Sequence, residues 1–235
     1  PAAGALPSRP VESSGPPEKE TSPMLTAIGD VMRRLYERGW ITTRDGNASL
    51  RRRRSKLLYV TPSGWRKTII HPEHIIKIGL SEDGVLSVPQ GAQPSGELHM
   101  HYLIQRGAMR ARSVVHAHPT HVVAAMYRGF DLPQIASQFP EIFRYTRVGP
   151  TVGAIPAITE ALGEATAVAL GIDGADIAFD IVGQHNHGVT SVGPDPWAAY
   201  EHIERLDHVC EILLASGVTP EEVERRHALG EMTPR

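Results

Sequence analysis

A single cysteine among 235 residues, Cys210, excludes an intramolecular disulfide. It suits a reducing compartment, and a cytoplasmic location is expected. Cys210 lies in an apolar helical pattern and reads as a small core residue. Excess charge is also lacking: 24 lysines and arginines against 26 acids leave a formal net charge of −2. That removes any overall electrostatic case for nucleic acid. No apolar run approaches the roughly 18 residues of a membrane span, so no membrane partner is expected. The first residues show no basic segment followed by an apolar one, and no signal peptide is expected. There is no internal repeat.

What is present is an ordinary globular balance, 41% hydrophobic and 21% charged, in a length that fits one domain with a substantial core. Residues 1–22 are rich in proline, glycine, serine and charge. They bury too little apolar surface to offset the entropy of ordering them, and read as a tail ahead of a domain over 23–235. Leu25, Ile28, Val31, Met32 and Leu35 give helical spacing from Met24 to Arg38, with Gly39 as the stop. Arg44-Asp45-Gly46-Asn47 is a turn signal before a strand at Ala48–Leu50. A second strand follows at Leu57–Val60. The run Arg51–Arg54 between them reads as a solvated or subunit-facing loop. Ile75–Ile78 and Val85–Val88 read as strands around a hairpin turn at Ser81–Gly84. His71 and His74 read as surface or capping residues.

Pro133 to Pro150 is expected to be irregular, with Phe139, Phe143 and Tyr145 shaping a pocket or an interface. A helix is expected over Ile158–Leu170, a strand over Ala178–Val182, a long helix over Pro196–Ser216 capped by Asp195, and a short one over Thr219–Ala228.

The chemistry concentrates between Pro94 and His121. Val114-Val115 reads as a buried strand ending in His116-Ala117-His118, broken by Pro119. Strand side chains alternate faces, so His116 and His118 point the same way and reach one metal ion. A His-X-His pair alone is often a hydrogen-bonded surface pair. A third imidazole, His187 in Asn186-His187-Gly188, follows another apolar run and favours the metal reading. Three imidazoles with an open position make a catalytic rather than a structural metal pattern. Glu97 opens the preceding helix, either as an acid–base group or as an acid favoured in a first turn. Ser95 and Gly96 stand just before it, where free amides favour an anion. His99 and His101 sit on other faces of that helix and rank below the triad; His121 either approaches the site or caps the next helix.

Gly46-Asn47-Ala48-Ser49, Thr61-Pro62-Ser63-Gly64, Pro94-Ser95-Gly96-Glu97, His116-Ala117-His118 and Asn186-His187-Gly188 resemble, in order and spacing, the motifs of the class II aldolase/adducin family. The resemblance runs from about Met24 to Ser216. It implies an α/β fold, a three-layer α/β/α arrangement with a largely antiparallel central sheet flanked by helices. It also implies a phosphate site at Asn47, Ser63, Gly64, Ser95 and Gly96, Glu97 as the catalytic acid–base, and His116, His118 and His187 as metal ligands. The metal is expected to be divalent, Zn²⁺ first, with Mn²⁺, Fe²⁺ or Co²⁺ also suited to the ligand set. The partner is a small-molecule substrate, and a homo-oligomer, a tetramer with the site at a subunit boundary, is implied.

The activity implied is a metal-dependent lyase of retro-aldol type. It would cleave a C–C bond in a hydroxy-carbonyl substrate, a sugar phosphate, through a metal-stabilised enediolate. Relatives on the same site act as epimerases, dehydratases or decarboxylases, and a decarboxylase of a hydroxy-aromatic or keto acid is the second reading. A non-catalytic adducin-like scaffold is the third, opposed by the retained histidines and Glu97. Two departures stand out. Fuculose-phosphate aldolases have a second serine where this chain has Gly96. They also carry a tyrosine about twenty residues after the histidine pair, where this chain has Ser137; Tyr145 lies further on.

Overall fold

A computed structural model describes residues 22–52, 55–80, 86–108, 110–173 and 176–229. Residues 1–21 of the expected tail, Arg53, Arg54, the hairpin turn Ser81–Gly84 and Val85 lie outside the described residues, whereas Ser22, the last residue of that expected tail, opens the first helix.

Helix α1 (Ser22–Glu37) buries Ile28, Val31, Met32 and Leu35 completely, the stripe that 3.6 residues per turn produces. Strands β1 (Asn47–Arg51), β2 (Leu57–Val60), β3 (Ile76–Leu80) and β4 (Leu86–Ser87) pair in succession, each antiparallel to the last. Helix α2 (Leu98–Gly107), strand β5 (Ser113–Ala117) and helix α3 (Thr120–Tyr127) carry the histidine-rich stretch.

The segment expected to be irregular holds two short helices instead, α4 (Leu132–Ser137) and α5 (Pro140–Tyr145). Pro133 and Pro140 sit in first turns, where a missing N–H costs nothing. Asp131 caps α4 by accepting from Gln134 N at 2.8 Å.

Helix α6 (Glu160–Ala169), the ribbon β6 (Ile172–Asp173) and β7 (Asp176–Ile177), strands β8 (Ile181–Gln184) and β9 (Gly188–Gly193), and helices α7 (Pro196–Ser216) and α8 (Pro220–Ala228) complete the chain. β8 begins three residues later than the apolar run suggests, since Ala178 and Phe179 bond back to Leu170 at the end of α6.

The main sheet has seven strands in the order β4-β3-β2-β1-β5-β9-β8, and every neighbouring pair is antiparallel. Its two faces are read most directly on β5. Val115 and Ala117 join a core with α1, α3 and α7, whereas Val114 packs with Met100 and Ile104 of α2. Helices thus cover both faces, giving the three-layer α/β/α architecture. Cys210 is fully buried on α7, and burial pushes its thiol pKa up. No helix among the described residues is long and apolar enough to cross a membrane.

Candidate active site

The site forms where β5 ends. Asn47 of β1 stands opposite His116 on one side, and Thr190 of β9 on the other. His116 shares the Val114 face and points toward α2, while His118 lies one residue beyond the strand, its amide bonded to Trp40 O at 2.8 Å. The β8–β9 turn descends onto this end because Gly188 has no side chain. A Cβ there would lie 2.3 Å from Ala117 O and 2.7 Å from the His118 ring. The preceding Asn186 takes φ +55°, which a short amide side chain tolerates. His187 follows and completes the cluster.

The three rings meet at centroid separations of 4.9, 4.7 and 5.0 Å. One nitrogen from each lies within 4.8 Å of the others. His116 Nε2 and His118 Nε2 are 3.0 Å apart, and Glu97 Oε2 lies 3.5 Å from His116 Nε2. Burial, then the neighbouring imidazoles, holds the His116 pKa well below the ordinary histidine value. His118 is lowered in the same direction, first by burial and then by His187. Neutral imidazoles are the form that ligates metal. Two atoms argue for the fit independently: His187 Nδ1 and Glu97 Oε1 are buried without a hydrogen-bond partner among the described residues. A cation among these rings would satisfy nitrogens that otherwise face one another.

Glu97 occupies the N-cap position of α2 and is almost completely buried. Its Oε2 accepts from Asn47 Nδ2 at 2.8 Å. The loops carrying the remaining expected residues lie side by side, joined by a bridge between Pro62 and Pro94. Ser63 N bonds Gln93 O at 2.9 Å and Ser95 N bonds Thr61 O at 3.0 Å. These two amides are therefore engaged, so the free amide expected at Ser95 is absent, and the Ser95 hydroxyl accepts from Glu97 N at 3.3 Å. Gly64 is exposed at φ +70° beside Ser63. Gly96 is exposed as well, and a Cβ on it would lie 2.8 Å from Ile158 Cγ2.

The model of the Class II Aldolase and Adducin N-terminal domain family matches residues 26–214. The chain belongs to this family. A probable bifunctional methylthioribose-1-phosphate isomerase/methylthioribulose-1-phosphate dehydratase of Nocardia farcinica is 27% identical over 88% of the chain, which spans only 37% of that protein. A 3-oxo-tetronate 4-phosphate decarboxylase of Pectobacterium atrosepticum is 27% identical over 78% of the chain and 80% of its own length. The crystal structure of L-fuculose-1-phosphate aldolase from Thermus thermophilus superposes with a TM-score of 0.66 at 25% identity, covering 82% of this chain and 94% of that one.

Within this class II aldolase fold the other histidines divide clearly. His101 is fully buried, with Nε2 against Asn47 Oδ1 and Nδ1 at 2.6 Å from Ser49 Oγ. It ranked below the triad in sequence, yet it anchors the amide that holds Glu97. Its signal was a polar residue flanked by the buried Met100 and Tyr102. His121 belongs to the fold: its ring and amide bind Asp207 of α7 at 2.9 and 3.0 Å. His71 and His74 bond each other at the surface, His71 N to His74 Nδ1 at 3.1 Å.

The two residues weighed against the aldolase tyrosine are engaged elsewhere. Ser137 Oγ donates to Gln134 O and contacts His227 of α8, both at 2.8 Å. Tyr145 is exposed, its ring under the guanidinium groups of Arg144 and Arg205.

Two charges near the site escaped the sequence reading. Asp45, seen only as a turn residue, partly opposes by its charge the lowering that burial imposes on the pKa values of His116, His118 and Lys67. Lys67 is buried, with Nζ 3.2 Å from Pro62 O.

Proposed function

We propose that the chain is a metal-dependent lyase that breaks a C–C bond in a hydroxy-carbonyl substrate, a sugar phosphate first. The observation that supports it best is the convergence of three imidazoles beside a buried carboxylate, one oxygen of which has no partner among the described residues. A divalent metal, Zn²⁺ first, held by His116, His118 and His187, would supply Lewis-acid stabilisation for negative charge developing on substrate oxygens.

The remaining work falls to the chain itself. Asn47 fixes Glu97 through Oε2 and leaves Oε1 to carry the proton. As the C–C bond breaks, its electron pair passes to the carbon beside the carbonyl, and Glu97 delivers a proton to that carbon. Asn47, Ser63, Gly64, Ser95 and Gly96 would hold the phosphate, with Ser63, Gly64 and Gly96 exposed and Asn47 and Ser95 buried behind them. The burial of Glu97 and His116 keeps water from competing for the proton.

A retro-aldol step also needs a group to take the hydroxyl proton of the departing aldehyde. Ser137 and Tyr145, engaged elsewhere, do not supply it. This favours a second reading, decarboxylation of a hydroxy-aromatic or keto acid, in which CO₂ leaves and no such proton exists. In a homotetramer with the site at a subunit boundary, a neighbouring copy would supply the group and restore the aldol reading.

Elemental analysis of wild type beside His116→Ala tests the proposal. About one metal per chain, lost in the variant, is the expected result, followed by a screen of ketose phosphates against carboxylic acids. Protein purified without chelators that holds no stoichiometric metal, and takes none up on reconstitution, would sink it and leave the scaffold reading.

A further inference from the structure

At the opposite end of the same strands lies a second cavity, of about 670 Å³. β5 connects the two places. His116 lies at its carboxyl end, and Arg112 just precedes Ser113 at its start, a span of about 13 Å at the usual strand rise. Sheet pairing converges on this end: Ser113 stands opposite Leu50 of β1 and Gly193 of β9, so the ends of both neighbours open into the cavity.

The walls are strongly one-signed. Among the described residues Arg51, Arg52, Arg110, Arg112 and Arg147 line the cavity, against one carboxylate, Asp180. Arg147 consumes that carboxylate with bonds of 2.6 and 3.1 Å. Arg51 is turned to Gln105 O. Among the described residues Arg110 reaches Asp176, at 3.9 Å between highly exposed side chains, where screening leaves little interaction. Arg112 bonds Met24 Sδ at 3.7 Å, a weak acceptor, and its Nε is buried without a partner among the described residues. His202 also lines the cavity, and burial lowers its pKa, so it adds no charge at neutral pH. Like charges gathered around one space repel unless an anion joins them.

The remaining lining is apolar, with Ala111, Ile177 and Val192 on the floor. Guanidinium forks match phosphate oxygens two at a time, whereas an apolar floor favours a hydrocarbon or ring. The volume falls inside the range of about 300–1,000 Å³ typical of small-molecule sites and exceeds what one inorganic anion fills.

We propose that this arginine-lined cavity is a second ligand site, separate from the histidine cluster, that takes an organic phosphate of about nucleotide size with its phosphate on the guanidiniums and its apolar body on the floor. The arginine run at the end of β1, which the proposed lyase chemistry does not use, then contributes two of the five cations.

Binding of adenosine 5′-monophosphate, inorganic phosphate and adenosine to the metal-loaded protein would be measured by titration calorimetry at low ionic strength. The nucleotide should bind saturably below millimolar concentration, at least tenfold tighter than either fragment. Arg110→Gln changes an exposed side chain and leaves the core untouched; with Arg52→Gln it should weaken nucleotide binding at least tenfold. Ser95→Ala, at the catalytic end, should leave it unchanged. Absence of saturable nucleotide binding would overturn the proposal. So would binding that survives the double arginine change, or binding lost in Ser95→Ala, which would place the nucleotide at the catalytic end. None of these outcomes depends on the protein being a lyase.

Discussion

Asn47 joins Glu97 to a fully buried histidine: its Nδ2 donates to Glu97 Oε2 at 2.8 Å, and its Oδ1 faces His101 Nε2. Burial holds the His101 pKa down to about 4, so the ring is neutral at physiological pH. One tautomer then satisfies all the partners, with Nε2–H donating to Asn47 and Nδ1 accepting from the Ser49 hydroxyl. The amide cannot flip without losing both bonds, and Glu97 is aimed accordingly. His101→Phe should lower kcat by about 10–100-fold, the usual scale for outer partners of a metal site. KM and metal content should stay near wild type, and His101→Gln should recover part of the loss. Steady-state kinetics with elemental analysis checks this; an unchanged kcat would remove His101 from the mechanism.

Gly96 stands where a fuculose-phosphate aldolase has its second serine, and the neighbouring chain gives a reason. An added Cβ would press on Ile158 Cγ2 at 2.8 Å. Ile158 is a β-branched residue at φ +63° and is 68% exposed, a conformation that costs about 1–3 kcal/mol. Ile158→Gly should therefore stabilise the fold by about 1 kcal/mol, since little packing is lost. Gly96→Ser alone should cost about 1–3 kcal/mol by overpacking, and less in the Ile158→Gly background. Urea unfolding of the two single variants and the double variant measures the coupling; strict additivity would show that the contact does not constrain residue 96.

The pattern of legibility follows from how far each signal reaches along the chain. α1 and α7 declare themselves because a 3.6-residue stripe is local, and β5 because an apolar run ends in polar residues. The triad was legible for the same reason, since each histidine closes or follows a short apolar run. α4 and α5 were missed because Pro133 and Pro140 read as breakers, although a first turn accepts proline. His101 was undervalued because its partners, Asn47 and Ser49, lie more than 50 residues away and only the fold brings them to α2. The arginine cavity was invisible for a related reason: the pairing of β1 with β5 brings Arg51 to Arg112, and Arg147 joins them only because its segment lies along the start of β8.

Asp207 shows how a carboxylate far from the site secures the element beside it. It is 3% exposed and accepts from the His121 and Val122 amides of α3 at 3.0 and 3.3 Å, and its other oxygen contacts the His121 ring at 2.9 Å. These amides are among those a helix start leaves without internal partners. Asp207→Ala should cost about 2–3 kcal/mol by stranding buried donors, and Asp207→Asn about 1 kcal/mol because one acceptor survives. Both variants should keep wild-type metal content. Thermal and urea unfolding measure the loss; an alanine variant as stable as wild type would mean that water replaces the carboxylate.

Lys67 gives the fold an unusual dependence on pH. The residue is 2% exposed, with Nζ 3.2 Å from Pro62 O, and burial pushes its pKa from 10.5 down to about 8 while Asp45 opposes the shift. The folded chain thus releases this proton more readily than the unfolded chain does. Below pH 8 the ammonium is charged in both states and the full desolvation penalty stands. As pH rises from about 8 toward 10.5 the unfolded state binds more protons, so this group's contribution to stability increases. Lys67→Met removes the buried charge and one bond to a carbonyl. It should stabilise the protein at pH 7 by about 1–3 kcal/mol, with the difference from wild type closing as pH approaches 10. Urea unfolding of both proteins across pH 7 to 10 is the measurement. A difference that stays constant over that range would show that Lys67 keeps its ordinary pKa in the fold, and a methionine variant less stable at pH 7 would show that the Pro62 bond outweighs the burial of charge.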